Sequence, residues 1–366
     1  MTATPSHPET ELEAIRARID AIDDEILRLI SERARCAQQV AHIKTGTGGP
    51  VQFYRPEREA AILRRIKARN PGPLDGEEVA RLFREIMSAC LALERPLHAA
   101  FLGPEGTFTQ AAAIKHFGHS VVTKAMATID EIFREVEAGA CDFGVVPVEN
   151  STEGVVSHTL DLFMTSPLRI TGEVMLRVHQ HLLSQAQEIS EIRRVYSHQQ
   201  SFAQCREWLD RYLLSAERIA VGSNAEAARL AAQDPESAAV AGLQAAEIYG
   251  LNVLAERIED EPSNTTRFLV IGKQDSPPSG QDKTSLLLSC KNQAGGLHRL
   301  LAPLAVHGIN MTRIESRPSR REVWDYVFFV DILGHRQDPK VAYALQNLEE
   351  EALLFKILGS YPVAVL

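Results

Sequence analysis

Apolar residues recur every three or four positions from residue 12 to residue 44 and form an unbroken heptad pattern. This spacing predicts a helix of about nine turns that packs along its whole length through coiled-coil-like contacts. The pattern stops at the glycines 46, 48 and 49 and at Pro50, because glycine and proline end helices. The core positions are Leu12, Ile15, Ile19, Ile22, Ile26, Leu29, Arg33, Cys36, Val40 and Ile43.

Two further helices are predicted before residue 98. One begins near Pro56, since proline suits a first helical position, and ends at Asn70. The other begins after Asp75, a favourable N-cap, and extends to about Glu94. A bundle of three helices with one very long member cannot bury its heptad face alone. An all-α three-helix domain over residues 1–97, paired as an intertwined homodimer, is therefore expected.

From residue 99 onward, short apolar runs alternate with helical segments, which is α/β organisation. The pattern predicts a second domain over residues 98–274, and a Pro-, Ser- and Gly-rich linker follows at residues 273–283. The last part of the chain has the βαββαβ order of a ferredoxin-like α+β domain, placed at residues 284–362. Its six elements are expected at residues 284–290, 295–306, 309–317, 323–333, 338–350 and 353–359.

Composition narrows the function classes. Hydrophobic residues make up 45% of the chain and charged residues 24%, as in soluble globular proteins, and no apolar run approaches the ~20 residues of a membrane helix. Residues 1–11 contain no signal-peptide core, and the five scattered cysteines form no CxxC pair. We therefore expect a cytoplasmic protein that has no metal site and does not act at a membrane. A net charge of −9 disfavours nucleic acid as a partner.

Arg33 occupies a core position of the heptad, where a charge costs stability unless it is paired. Two readings are open for this residue alone, a snorkelling arginine or one that pairs with a neighbouring glutamate. Further charged residues accompany it and suggest a pocket for a small dianion. These residues are Arg16, Lys44, Arg58, Glu59 and Glu94. With the stretch IRARIDAID and the pairs Glu32-Arg33 and Arg58-Glu59, residues 12–95 resemble the all-helical chorismate mutase family.

The resemblance implies rearrangement of chorismate to prephenate, which needs no cofactor and no covalent intermediate. It assigns the substrate carboxylates to Arg33 and to Arg16 of the partner subunit, the ether oxygen to Lys44, the ring hydroxyl to Glu59, and support of the pocket to Arg58. Arg55 stands where the family often has an acidic residue, and Cys90 is expected to line the same pocket. Glu94 stands where many members have a glutamine that donates to the ether oxygen, so it has to be protonated to help.

Polar clusters follow strands of the second domain at residues 101–109, 147–154 and 197–205, and a fourth cluster at residues 262–268 leads into a strand. The carboxyl ends of strands are the usual ligand sites of open α/β sheets. Alone, the fourth cluster, Pro-Ser-Asn-Thr-Thr-Arg-Phe, reads as a capped turn, and His198 is more typical of a structural histidine than of a base. Together the clusters resemble prephenate dehydratase over residues 99–273, a family with a two-lobed α/β fold like that of periplasmic binding proteins.

This second resemblance implies that prephenate loses water and CO2 to give phenylpyruvate in the cleft between the lobes. Thr266 is the expected donor to the departing hydroxyl, and Arg267 is expected to orient a carboxylate. The other residues expected to line the cleft are Thr109, Glu149, Asn150, Ser151 and Gln200.

Two motifs of the last domain, Gly295-Gly296-Leu297-His298 and Glu315-Ser316-Arg317-Pro318, resemble those of the ACT amino-acid-sensing domain. A Gly-Leu turn that opens a helix can accept an amino-acid carboxylate on backbone N–H groups. The resemblance implies phenylalanine as an allosteric effector, bound between two paired domains. Gly296 and His298 depart from the usual Gly-Ala-Leu-Val motif, which leaves the effector and the strength of feedback open.

Together the resemblances predict a multidomain, feedback-regulated enzyme of phenylalanine biosynthesis that performs both reactions and forms a homodimer or a larger assembly. One alternative is a dehydratase whose helical domain only dimerises, but the intact charged set around Arg33 argues against it. Another is an amino-acid-sensing protein without catalysis. A sensor would not need the hydroxyl of Thr266, and it would be expected to carry a helix-turn-helix, for which the heptad is too long.

Overall fold

The computed structural model describes residues 8–46, 52–152, 154–319 and 326–366, which fold into three domains in chain order. Glu153, the residues 48–50 expected to end the first helix, and the first three residues of the strand expected at 323–333 lie outside the described residues. No helix within the described ranges is both long and apolar enough to cross a membrane.

The N-terminal domain contains α1 (Pro8–Gly46), α2 (Pro56–Arg69) and α3 (Gly76–Glu94), as the heptad and the cap residues predict. Pro56 opens α2, and the Asp75 side chain accepts a hydrogen bond from the backbone N–H of Glu77 at the start of α3. With 39 residues, α1 is about 58 Å long, and it packs against α3.

The apolar heptad side chains of α1 are not covered by the rest of the described chain. They are between 44% and 67% exposed, which is unusual for eight large apolar residues on one helix face. The eight are Leu12, Ile15, Ile19, Ile22, Ile26, Leu29, Val40 and Ile43. This face of the helix therefore needs a partner surface.

The middle domain has two lobes, each built on one sheet. The first lobe has the strand order β2-β1-β3-β11-β5, with β4 beside β3, and the second has β10-β6-β9-β7-β8. The chain leaves the first lobe after β5 and returns to it as β11, which lies antiparallel between β3 and β5. Residues at the C-terminal ends of β3 and β5 and at the N-terminal start of β11 therefore lie where the two lobes meet.

The elements of the first lobe are β1 (His98–Leu102), α4 (Phe108–Phe117), β2 (Val122–Met126), α5 (Ile129–Ala138), β3 (Phe143–Asn150), β4 (Gly154–Val155), α6 (Ser157–Phe163) and β5 (Arg169–Arg177). Those of the second are β6 (His181–Ser184), β7 (Arg194–His198), α7 (Gln199–Gln204), α8 (Arg206–Tyr212), β8 (Glu217–Val221), α9 (Asn224–Ala231), β9 (Ser237–Ala241), α10 (Leu243–Tyr249) and β10 (Asn252–Ala255), and the chain then returns as β11 (Thr265–Gly272).

The C-terminal domain has the predicted βαββαβ order and the sheet order β13-β14-β12-β15. All neighbouring strands of this sheet are antiparallel, which is the ferredoxin-like arrangement. The elements are β12 (Asp282–Ser289), α11 (Gly296–Val306), β13 (Met311–Pro318), β14 (Tyr326–Leu333), α12 (Pro339–Glu351) and β15 (Leu354–Pro362).

The C-terminal domain contacts both other domains. Its strand β15 packs so closely on β5 that a Cβ added at Gly359 would lie 2.1 Å from the carbonyl oxygen of Ile170. The segment after β15 reaches α2, where Arg64 donates to the carbonyl of Val363 at 3.2 Å and Lys67 to that of Val365 at 3.0 Å. The three domains therefore form one packed body.

Candidate active sites

A cavity of about 450 Å³ lies between the two lobes of the middle domain. It is lined by residues at the ends of β3 and β11 and at the starts of α4, α7 and α9. Of the residues predicted to line a cleft here, Thr109, Asn150, Gln200 and Thr266 do so. The polar lining residues are Thr107, Thr109, Asn150, Gln180, His198, Gln200, Ser201, Gln204, Ser223, Asn224 and Thr266.

Asn150 and Thr266 form a hydrogen-bonded pair at the centre of this lining. The Nδ2 of Asn150 donates to Thr266 Oγ1 at 2.7 Å and to Asn264 Oδ1 at 2.9 Å. The Oδ1 of Asn150 accepts from the N–H and from the hydroxyl of Thr152. These bonds fix the orientation of the amide. Because Thr266 Oγ1 accepts from Asn150, its own proton remains available for a group in the cavity.

Helix starts provide the positive potential of the cavity. Neither lysine nor arginine is among the side chains that line it in the part of the chain that the structure describes. Phe108 and Asn224, the first residues of α4 and α9, lie in the lining. Helix N-termini carry free N–H groups and a partial positive charge, so they can accept carboxylates without a cation.

Asn224 is a cavity-lining residue that the sequence analysis missed. Its Nδ2 donates to Ser201 Oγ at 2.8 Å, and its Oδ1 accepts from the backbone N–H of His198 at 3.0 Å. It therefore joins the starts of α7 and α9 at the wall of the cavity. The available signal was Ser223-Asn224 directly after a short strand and before an alanine-rich helix, which is an N-cap pattern.

His198 has the structural role that the sequence favoured, and it also lines the cavity. Its Nδ1 accepts from the backbone N–H of Gln200 at 3.3 Å and so caps α7, which is a structural role. The same side chain also lines the cavity. His198 is thus held in one orientation at the wall of the site.

Three predicted cleft residues do not line the cavity. Ser151 exchanges hydrogen bonds with the backbone of Thr265, with its own hydroxyl accepting at 2.9 Å. Glu149 forms a 3.0 Å ion pair with Arg313 of β13, and Arg267 is buried against the C-terminal domain. The expected roles of Glu149 and Arg267 at the cleft are therefore contradicted. Side chains alternate along a strand, so if Asn150 and Thr266 face the cavity, their neighbours face the opposite side.

Arg267 is the centre of a buried ionic cluster. Its Nε lies 3.0 Å from Glu173, its Nη1 lies 2.5 Å from Asp331, and its Nη2 donates to the Tyr361 hydroxyl at 3.0 Å. Lys283 also pairs with Glu173, at 2.8 Å. Burial alone would lower the pKa of Arg267, but Tyr361, Asp331 and Glu173 raise it above its usual value. Each of the three guanidinium nitrogens of Arg267 is thus bonded within the protein.

The N-terminal domain brings Lys44 and Glu94 together. The two side chains approach within 3.7 Å, and Lys44 Nζ also donates to the carbonyl of Gln52 at 3.3 Å. The Glu94 side chain is only 11% exposed. Cys90 is buried one turn earlier on the same helix. Arg16, in contrast, lies 28 residues before Lys44 on α1, a separation of about 42 Å.

Glu59 is buried beside an arginine that the sequence reasoning did not identify. Its Oε1 lies 3.1 Å from Arg84 Nε, with side chains 14% and 9% exposed. Burial raises the pKa of Glu59, and the nearby Arg84 and Arg33 oppose that rise. Arg84 also donates to the carbonyls of Lys115, at 3.0 Å, and His116 at the end of α4. An arginine on the buried face of α3, between Ala80 and Met87, was the available signal.

The other two predicted pocket residues of this domain point outward. Arg55 and Arg58 are exposed, and Arg55 pairs with Glu57 at 2.6 Å. Within the described chain they take no part in the arrangement around Glu59 or Lys44.

The two predicted motifs of the C-terminal domain lie at the start of α11 and on the edge strand β13. Gly295 caps α11 with a φ of +73°, a conformation that favours glycine, and Gly296 is buried. Leu297 and His298 are exposed. Glu315, Ser316, Arg317 and Pro318 end β13, where Arg317 binds Asp161 at 3.0 Å and Ser157 at 2.8 Å.

Comparison with known proteins gives the same division into domains. Models of three families match in chain order: chorismate mutase type II at residues 15–95, prephenate dehydratase at residues 99–276 and the ACT domain at residues 284–350. The bifunctional chorismate mutase/prephenate dehydratase of Stutzerimonas stutzeri is 59% identical over 97% of this chain and 99% of its own. That of Pseudomonas aeruginosa is 58% identical over 98% of this chain and 99% of its own.

A solved structure of prephenate dehydratase from Arthrobacter aurescens, in complex with L-Phe, is 35% identical. It superposes with a TM-score of 0.67 over 73% of this chain and 90% of its own. The match covers the two-lobed fold, and the sequence relatives extend over nearly the full length. This chain belongs to the bifunctional chorismate mutase/prephenate dehydratase family.

Proposed function

We propose that this chain catalyses two consecutive reactions in the cytoplasm, chorismate to prephenate in the N-terminal domain and prephenate to phenylpyruvate between the lobes of the middle domain. The observation that carries the second assignment is the Asn150–Thr266 hydrogen bond of 2.7 Å at the wall of the cavity. It presents an oriented hydroxyl donor where the ends of two strands and the starts of three helices meet.

In the dehydratase reaction, Thr266 donates a hydrogen bond to the hydroxyl that leaves the ring of prephenate, and the proton that turns this hydroxyl into water comes from solvent, so that Thr266 ends the reaction as a neutral hydroxyl. The C–O bond breaks as water departs, and the ring carboxylate leaves as CO2. The electron pair of the broken C–C bond completes the aromatic ring. The starts of α4 and α9 bind the substrate carboxylates through their free N–H groups, which replaces the role first expected of Arg267.

In the mutase reaction, Lys44 donates to the ether oxygen, on which negative charge develops as its bond breaks, and Glu94 lies beside Lys44 at the same site. Glu59 accepts from the ring hydroxyl, and Arg33 holds one carboxylate. No covalent intermediate is needed. The site is preorganised by burial, since Glu59 and Glu94 are both largely shielded from solvent.

We also propose that the chain is a homodimer through the exposed heptad face of α1. Arg16 is too far from Lys44 to reach the same site within one chain, so a second copy has to supply it. The eight exposed apolar residues along α1 give that second helix a continuous surface on which to pack.

Phenylalanine is the effector that we propose for the C-terminal domain. The backbone N–H groups of Leu297 and His298 lie in the first turn of α11, where they can bind a carboxylate. The related protein from Arthrobacter aurescens was solved in complex with L-Phe.

One experiment tests both reactions. Purified protein is given chorismate, whose ultraviolet absorbance is followed, and phenylpyruvate is measured with and without phenylalanine. Thr266→Val should stop phenylpyruvate formation and let prephenate accumulate, while Lys44→Met should stop the loss of chorismate and spare conversion of added prephenate. Thr265→Val is the matched control, because that hydroxyl binds the carbonyl of Ser263 instead of the cavity. Full dehydratase activity in Thr266→Val would refute the assignment.

A further inference from the structure

Two charged pairs face each other across the boundary between the middle and C-terminal domains. Glu149 of β3 lies directly opposite Arg267 of β11. Arg313 of β13 lies directly opposite Asp331 of β14. Glu149 contacts Arg313 at 3.0 Å and Arg267 contacts Asp331 at 2.5 Å, so four charges alternate in sign around a square. We call these four residues the charge square.

The charge square lies directly behind the hydrogen-bonded pair of the dehydratase cavity. The residue after Glu149 is Asn150, and the residue before Arg267 is Thr266; these two are also directly opposite each other. Neighbouring side chains of a strand point to opposite faces. Any displacement of Glu149 or Arg267 along the sheet normal is therefore passed to Asn150 or Thr266 through one peptide bond.

The pairing of this end of β3 is irregular on one side. The register of β3 on β11 slips between Phe268 and Arg267, so that Phe268 faces Pro147 while Arg267 faces Glu149. Val148 is left without a partner in that ladder, and Pro147 has no N–H to give. On the other side, Glu149 and Asn150 pair with Val155 and Gly154 of the two-residue strand β4. The Arg313–Glu149 ion pair adds a contact from outside the sheet at the position where the bulge lies.

We propose that Arg313 and Asp331 are positioning residues of the dehydratase reaction, which hold Asn150 and Thr266 in register from the regulatory domain. Neither touches the cavity. Each acts through the residue next to a member of the catalytic pair. The inference rests on the proposed role of Thr266.

Burial restricts the side chains around Asp331 to one arrangement. Arg267, Asp331 and Glu173 are each less than a tenth exposed, and Asp331 also accepts from the hydroxyl of Ser285 at 2.6 Å. An unpaired charge here is costly, so the side chains have one arrangement in which all are satisfied. At the second contact the Glu149 side chain is 39% exposed and that of Arg313 is 11% exposed, so this pair is more accessible to solvent than the pair of Arg267 and Asp331.

A double-mutant cycle at the Arg313–Glu149 pair tests the proposal. Arg313→Gln and Glu149→Gln each remove the ion pair without placing like charges together, and each should lower the dehydratase kcat by about tenfold to a hundredfold with little change in KM, since displacement and not binding is affected. The double variant should be about as slow as either single variant, because the same contact is lost in all three. Asp331→Asn should lower kcat in the same way. Mutase activity in the same preparations reports that each protein is folded.

Lys356→Gln is the matched control at the same domain boundary. Lys356 donates to the carbonyls of Phe163 and Ser166, at 2.9 and 2.7 Å. Neither of these residues belongs to β3 or β11, the strands that carry Asn150 and Thr266. The variant should keep a normal kcat. The proposal is overturned if the losses of the two single variants multiply in the double variant, if Lys356→Gln is equally slow, or if mutase and dehydratase activities fall together. An active Thr266→Val would instead remove the assignment of the catalytic pair, and the two failures are thus separable.

Discussion

Replacing Arg84 by methionine should loosen the contact between the N-terminal and middle domains and weaken the mutase reaction. Arg84 reaches from α3 to Glu59 on one side and to the carbonyls of Lys115 and His116 on the other. Methionine keeps most of the apolar length of the side chain but none of its donors. It leaves the carboxyl of Glu59 buried without its nearest cation, and two carbonyls at the end of α4 without a donor.

The size of the effect follows from the burial of the pair. Removing one partner of a buried ion pair costs about 3–5 kcal/mol, because the remaining charge is uncompensated. In native-state hydrogen exchange this corresponds to roughly two to four orders of magnitude less protection for amides that open with the interface. Arg81→Met is the matched control, since Arg81 lies on the same helix but pairs with Glu78 at the surface, with both side chains more than half exposed. It should leave protection unchanged.

The defect should depend on pH in a defined direction. Burial raises the pKa of Glu59, so this group favours the folded state at low pH, and that contribution is lost as pH rises through its folded pKa. Without Arg84 the folded pKa rises further. Tyr54, Arg33 and His116 also face this region, and burial and Arg84 lower the pKa of His116 to about 3. Burial, the larger of these two causes, remains when Arg84 is lost, so the pH dependence of the defect comes mainly from Glu59.

Exchange measured at about pH 8 and about pH 5 checks this reasoning. The loss of protection in α2, α3 and α4 of Arg84→Met should be large at the higher pH and smaller at the lower one, after correction for intrinsic exchange rates. The mutase kcat/KM of Arg84→Met should likewise fall more at the higher pH than at the lower one. A defect that grows on acidification, or one that Arg81→Met shares, would show that the Glu59–Arg84 pair is not its cause.

Three further perturbations have defined outcomes. Glu94→Gln should keep mutase turnover or raise it, because an amide at this position can donate to the ether oxygen; a large loss of turnover in the variant would contradict a donor role there. Arg16→Ala and Lys44→Ala should each abolish mutase turnover as pure proteins, whereas mixed dimers should regain about half the wild-type rate per dimer, since one of their two sites is intact; no recovery would refute a site shared between subunits. Gly295→Ala should destabilise the C-terminal domain by about 1 kcal/mol in thermal unfolding, given a φ of +73°, and weaken calorimetric binding of phenylalanine; tight binding by the variant would place the effector elsewhere.

The helices and strands were predictable because their signals are local. The heptad of α1, the Pro56 start and the Asp75 cap lie within a few residues of the elements that they specify. The cavity was predictable in part for the same reason, since Thr109, Asn150, Gln200 and Thr266 all sit at the ends of strands or starts of helices. The order of the strands and helices is enough to bring these four positions together at the cavity.

The partners of Arg267 and Glu59 were not predictable in this way. Arg267 meets Asp331 from 64 residues further along the chain, and Arg84 reaches Glu59 from another helix. Those contacts depend on how whole domains pack, which no local pattern encodes. The alternation of side chains along a strand did predict one of these results, however. Thr266 and Arg267 occupy adjacent positions of a strand, so they cannot both face one cavity.

Contacts between the domains connect the two proposed active sites with the C-terminal domain. The dehydratase pair Asn150–Thr266 is backed by residues of the C-terminal domain, and Glu59 is held by an arginine that also grips α4 of the middle domain. The C-terminal segment in turn binds α2, the helix that carries Glu59, through Arg64 and Lys67. Each interface therefore passes within a residue or a turn of a proposed catalytic group. A buried charge costs stability unless it is paired. Paired buried charges at these positions therefore indicate that the domains pack against one another and are not joined by a linker alone.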